Sequence, residues 1–206
     1  MAIAGGLVMR TARGPASSLL IGIGNPLRGD DGVGPWLVET WGRRRAWRAV
    51  LPARLQVRVV DQLLPELAAE LATVGRVLFV DAWRGDPGAA PIGSWSGPRL
   101  LPVLAADRRA GSGAGWGTPG WTPGHHLAPA VLLQLTDGLY GRAPAAQSLL
   151  IPATAFAVTD PGGGSACFSA GLRLALPRAW LLLDQWLQEG EGSVNEQGPP
   201  EIRSLL

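Results

Sequence analysis

The stretch Ser18-Leu19-Leu20-Ile21-Gly22-Ile23-Gly24-Asn25-Pro26-Leu27-Arg28-Gly29-Asp30-Asp31-Gly32-Val33-Gly34 decides the fold. Its first seven residues form a short apolar run that ends in glycines, as a strand buried on both faces requires. The chain then changes period. Val33, Trp36, Leu37, Thr40 and Trp41 recur at helical spacing, which predicts a helix over 32–48. Arg43, Arg44, Arg45 and Arg48 crowd its end, where cations suit the helix dipole and need no ligand. Strand, glycine turn and helix in this order open a parallel α/β unit.

The same alternation continues downstream. Gln56-Val57-Arg58-Val59-Val60-Asp61 reads as a second strand and leads into a helix over 64–73, with Pro65 in its first turn. Arg76-Val77-Leu78-Phe79-Val80-Asp81 is the third and most β-branched strand. Beyond Arg84 the signal weakens, with a short candidate strand over Ile92–Trp95 and a Gly-rich loop over 111–117. A helix over 127–140, a strand over 149–158, a Gly-rich loop over 160–165 and a last helix over 170–188 complete the pattern. In the last helix Pro177 either kinks the helix or marks its true start. The expectation is a single α/β domain over 18–189, a three-layer sandwich of about five mostly parallel strands in a twisted sheet between helices. Residues 1–17 and 190–206 are expected to be a poorly ordered leader and tail.

Composition narrows the function. The 206 residues carry 18 basic and 16 acidic side chains, a net charge of +2. All the basic residues are Arg. Such a balance offers no strong field for a nucleic acid, despite an isoelectric point of 9.4. Cys167 is the only cysteine, so neither a disulfide nor a Cys-based metal knuckle is available within the chain. The longest uncharged apolar stretch, 143–159, contains Pro144, Pro152 and Gln147 and fails as a membrane span. Near the N-terminus Arg10 and Arg13 follow the apolar residues instead of preceding them, the reverse of a signal peptide. A cytoplasmic location is expected.

Three residues draw attention by position. Asp31 follows the first strand, Asp81 ends the third, and His125 opens a helix after a Gly/Pro-rich loop. In an open parallel sheet ligands bind beyond the carboxyl ends of the strands, at the point where strand order reverses. Two carboxylates and an imidazole there would make an O, O, N set for a divalent cation with positions left open. Any imidazole must come from His125 or His126, the only two histidines. Each group alone has a plainer reading, since an Asp at a helix start is commonly a cap, and Asp30 can serve as one. Gly22-Ile23-Gly24 is not a dinucleotide fingerprint: the third glycine is missing, and Asp30-Asp31 would repel a pyrophosphate.

The run Ile21 to Gly34 closely resembles the opening signature of the NiFe hydrogenase maturation proteases. The resemblance continues in order through 62–68, 77–82, His125-His126-Leu127-Ala128-Pro129 and 139–144, covering about Leu19 to Pro144. It implies a phosphorylase/hydrolase-like α/β fold and an endopeptidase, of aspartyl type, that trims the C-terminal extension of the hydrogenase large-subunit precursor. It further implies that Asp31, Asp81 and a histidine are both the catalytic and the metal-binding residues. His125, with Leu127 two residues on, fits that histidine better than His126. The metal would be nickel already carried by the substrate, with no permanent cofactor, and the chain would act as a monomer. Which group activates the attacking water stays open. Asp61-Gln62-Leu63-Leu64 departs from the Asp-Gly-Gly-Thr of many relatives and agrees with a Gln-Leu-x-Pro-Glu-Leu subgroup.

Two other readings compete. Peptidyl-tRNA hydrolases also run from their first strand into Gly-x-Gly-Asn-Pro, but this chain lacks the early His of that family, and a net charge of +2 is thin support for the basic groove a tRNA would want. A nickel- or precursor-binding chaperone could use the same trio without cleaving.

Overall fold

The computed structural model describes residues 17–46, 55–84, 97–104, 127–158 and 167–195, with backbone alone at 45–46 and 190–195. Among these residues five strands form one sheet: β1 Ser18–Ile23, β2 Leu55–Val60, β3 Arg76–Trp83, β4 Arg99–Pro102 and β5 Ala145–Pro152. Their order is β2-β1-β3-β5-β4, parallel throughout except for β4, which runs antiparallel to β5 at the edge. Among the described residues four helices cover it: α1 Val33–Ala46, α2 Leu67–Leu71, α3 Pro129–Tyr140 and α4 Ala170–Asn195.

Alternation along the strands builds two cores. Leu20, Leu78 and Val80 face α1 and α4, where Leu37, Trp41, Leu183 and Trp186 close the layer. Leu19, Ile21, Val77 and Phe79 face the opposite side, against Leu71 of α2 and Leu132 of α3. The result is the expected three-layer sandwich with a mostly parallel five-stranded sheet at its centre.

Several boundaries move for physical reasons. A 3-10 turn over Gly29–Gly32 precedes α1, which begins at Val33 instead of Gly32. The expected helix over 64–73 keeps α-helical bonding only over Leu67–Leu71. Its flanks close by shorter bonds, from Leu67 N–H to Leu64 C=O (3.1 Å), Ala68 N–H to Pro65 C=O (3.0 Å) and Thr73 N–H to Glu70 C=O (2.9 Å). Helix α3 starts at Pro129, where a missing N–H costs nothing, and stops at Gly141, whose φ of 68° ends the helix. The last helix begins at Ala170 and passes through Pro177 to reach Asn195, seven residues beyond the expected end.

Two strands differ from the sequence expectation. β5 occupies 145–152 and not 149–158. Its last ladder bond runs from Ala153 N–H to Trp83 C=O, and the next two amides turn to the Asp30 carboxylate instead of a strand. β4 was not expected: four residues ending in Pro102 are too short to show a period. The candidate strand at 92–95, the Gly-rich loops at 111–117 and 160–165, both histidines, and residues 1–16 and 196–206 lie outside the described residues.

Candidate functional site

The order β2-β1-β3 puts the reversal of strand order, the switch point of the sheet, between β1 and β3. Both predicted carboxylates stand at the carboxyl edge of that pair. The chain leaving β1 turns sharply at Gly24, whose φ of 129° suits glycine alone. There a Cβ would also collide with the Asp31 carbonyl oxygen. Helix α1 then settles directly on the sheet. A Cβ on Gly34 would stand 2.4 Å from the carbonyl oxygens of both Ile23 and Val80. Glycine spacing therefore serves to bring the start of α1, and Asp31 before it, over the ends of β1 and β3.

Asp31 is held by its own turn. Its Oδ2 accepts the Asn25 N–H at 3.0 Å, while Asn25 Oδ1 accepts the Leu27 N–H at 2.9 Å. Oδ1 of Asp31 has no hydrogen-bond donor among the described residues. Asp81 continues the Val77, Phe79 side of β3 beyond the strand's buried centre, in register with Leu150 of β5. Burial, reinforced by the negative charge of Asp31, raises its carboxyl to about 7, and a hydrogen bond from the Ala82 backbone only partly opposes this. The two acids are thus electrostatically coupled. Near neutral pH Asp81 is divided between its protonated and ionised forms.

Asp30, adjacent in sequence, has a different place. It is fully buried. Its Oδ2 accepts the N–H groups of Thr154 (2.8 Å) and Ala155 (2.9 Å), and its Oδ1 accepts the Ser169 N–H (2.7 Å). Burial would raise this carboxyl, but the backbone donors together with the Ser169 side chain outweigh it and hold the group below the usual carboxylate value. Asp30 does not cap its own helix, as a sequence reading allows. It ties the turn after β1 to the segment after β5 and to the start of α4.

His125 and His126 lie outside the described residues. Leu127, two residues after His125, packs against the cluster that contains Val60, Ile23 and Phe79, which line the strand ends below the carboxylates. Among the described residues no three His, Cys, Asp or Glu side chains converge, so the described part of the site is the Asp31/Asp81 pair.

No protein-family model and no curated protein matches the chain. Solved structures do. The hydrogenase maturating endopeptidase HybD from Escherichia coli superposes with a TM-score of 0.57 at 18% identity, over 84% of this chain and 93% of its own. The NiFe hydrogenase maturation protease HycI from Thermococcus kodakarensis gives a TM-score of 0.52 at 17% identity, with the same coverage of 84% and 93%. An endopeptidase from Escherichia coli gives 0.54 at 16% identity, again over 84% and 93%. The chain has the fold of the hydrogenase maturation proteases. At these identities the likeness is one of architecture, and it agrees with the motif resemblance carried by residues 21–34.

Proposed function

We propose that the protein is an endopeptidase that removes the C-terminal extension of a NiFe hydrogenase large-subunit precursor after nickel has been inserted. The observation that carries this reading is the coupled pair Asp31/Asp81 at the switch point of the sheet, with Asp81 raised to about 7. Coupled carboxyls with a raised titration of this kind cluster at functional sites. The shared fold with maturation proteases and the motif at 21–34 supply the reaction class.

The donor set fits a divalent cation. Two carboxylates that repel one another are stabilised by a positive charge between them, and a borderline metal accepts carboxylate and imidazole together. Asp31 and Asp81, completed by His125, would hold the nickel that the precursor carries, so the metal is part of the substrate and not a resident cofactor. Nickel polarises what it touches. The chain's own contribution is to fix the scissile peptide beside the pair and to move protons. One carboxylate takes a proton from the water that attacks the peptide carbonyl, and a carboxylic acid of the pair returns one to the leaving nitrogen. The C–N bond breaks, and water supplies the hydroxyl and hydrogen to its two ends.

The same reading has the chain act as a monomer in the cytoplasm. Among the described residues no helix is long and apolar enough to cross a membrane. The deciding experiment incubates the protein with nickel-loaded and nickel-free precursor and measures the precursor mass. Loss of the C-terminal extension from the loaded form alone supports the protease. Binding without mass loss would point to a chaperone instead.

A further inference from the structure

We propose that Asp30 is a positioning residue for the reaction: the five hydrogen bonds of its side chain and backbone fix the direction in which Asp31 enters the site. The inference rests on the reading of Asp31 as a site carboxylate.

Every polar group of Asp30 is committed. Its N–H donates to the Ala155 carbonyl at 2.8 Å, its carbonyl accepts the Val33 N–H that starts α1, and its carboxylate accepts three backbone N–H groups. A residue so held cannot rotate, and the peptide plane that joins it to Asp31 is fixed with it. Asp31 is then steadied from the other side by the Asn25 N–H. Two opposed anchors thus define where its carboxylate sits. One anchor comes from its own turn and the other from residues more than 120 positions away.

Only a carboxylate meets the requirement. Three donors converge on two oxygens, with two donors on Oδ2 and one on Oδ1. An amide at this position would set its NH2 group against at least one N–H, donor facing donor. The arrangement also reaches the catalytic edge from α4. Ser169, whose N–H Asp30 accepts, takes the Leu172 N–H on its hydroxyl at 3.2 Å and so caps that helix. Asp30 therefore locks three segments that meet nowhere in sequence: the turn after β1, the segment after β5 and the start of α4.

A merely structural Asp30 would lower stability and leave the site's affinity alone, which separates the two roles. The test titrates cadmium ion, as a stand-in divalent metal, into the full chain and into Asp30→Asn, both well below their melting temperatures. Leu71→Ala, a core change in α2, serves as a destabilised control. Asp30→Asn is expected to weaken cadmium binding about tenfold to a hundredfold, as losing a residue that orients a ligand does. Leu71→Ala is expected to stay within about twofold of wild type, because it weakens the fold without touching the site. Equal affinity in Asp30→Asn overturns the inference and leaves the protease reading standing. Absence of cadmium binding to the wild-type chain overturns the inference, whereas the protease reading stands or falls on the precursor mass.

A second measurement needs no variant. By reciprocity, metal held through Asp31 must tighten the Asp30 clamp. Cadmium is expected to slow hydrogen exchange at the Thr154, Ala155 and Ser169 amides together with that of Asn25. Slowing at Asn25 alone would overturn the inference even if Asp30→Asn failed to fold.

Discussion

Gly34 in α1 lies so close to β3 that a Cβ on it would stand 2.4 Å from the Val80 carbonyl oxygen. Val80 is the residue before Asp81, and Gly34 follows Asp31 by three positions. The helix thus rests on the two strand ends that carry the site, and the distance between the acids is set by how closely α1 can approach. Gly34→Ala should lift the helix off the sheet and cost about 3 kcal/mol or more, since backbone blocks it on both sides. Gly42→Ala in the same helix meets nothing within 4 Å and should stabilise by about 0.5–1 kcal/mol. Urea denaturation of the two variants checks both signs.

Asp81 ties stability to pH. Its folded carboxyl titrates at about 7, above the reference value of 3.8. The native state therefore keeps a proton that the unfolded chain releases, and this contribution is present below about pH 4 and lost as pH rises through 7. Asp81→Asn removes the loss. It should raise stability at pH 8 by on the order of 2 kcal/mol relative to its effect at pH 4, while abolishing any cleavage. Thermal melts of both proteins at the two pH values test this. A variant equally stabilised at pH 4 and 8 would contradict the coupled pair.

The opposite edge of the sheet should tolerate change without functional loss. Arg76 lies over the Trp186 ring at 3.9 Å, donates to Ser18 Oγ at 2.8 Å and donates to the carbonyls of Trp186 (2.7 Å) and Leu187 (3.3 Å). Lysine cannot reproduce this planar fork. Arg76→Lys should cost about 1–2 kcal/mol in a urea titration. Cadmium affinity at the carboxylate pair should stay unchanged.

Much of this architecture was legible because the residues that build it act locally. The buried run 18–23 and the helical spacing from Val33 identify a parallel unit without tertiary information, and β3 announces itself through Val77, Phe79 and Val80. Asp31 and Asp81 could be placed on one edge because strand polarity alone puts them there. What escaped depends on distant partners. β4 exists only by pairing with β5, and β5 stops at Pro152 because Asp30, more than 120 residues earlier, takes the next amides. The role of Asp30 was hidden for the same reason. Its one sequence signal is that adjacent side chains in a helical turn diverge, so Asp30 and Asp31 need not serve the same site.

The most direct test of the central claim is the mass of nickel-loaded large-subunit precursor after incubation with the wild-type protein and with Asp31→Asn. The carboxylate pair predicts loss of the C-terminal extension with wild type and an intact precursor with Asp31→Asn. Trimming by Asp31→Asn at the wild-type rate would contradict it.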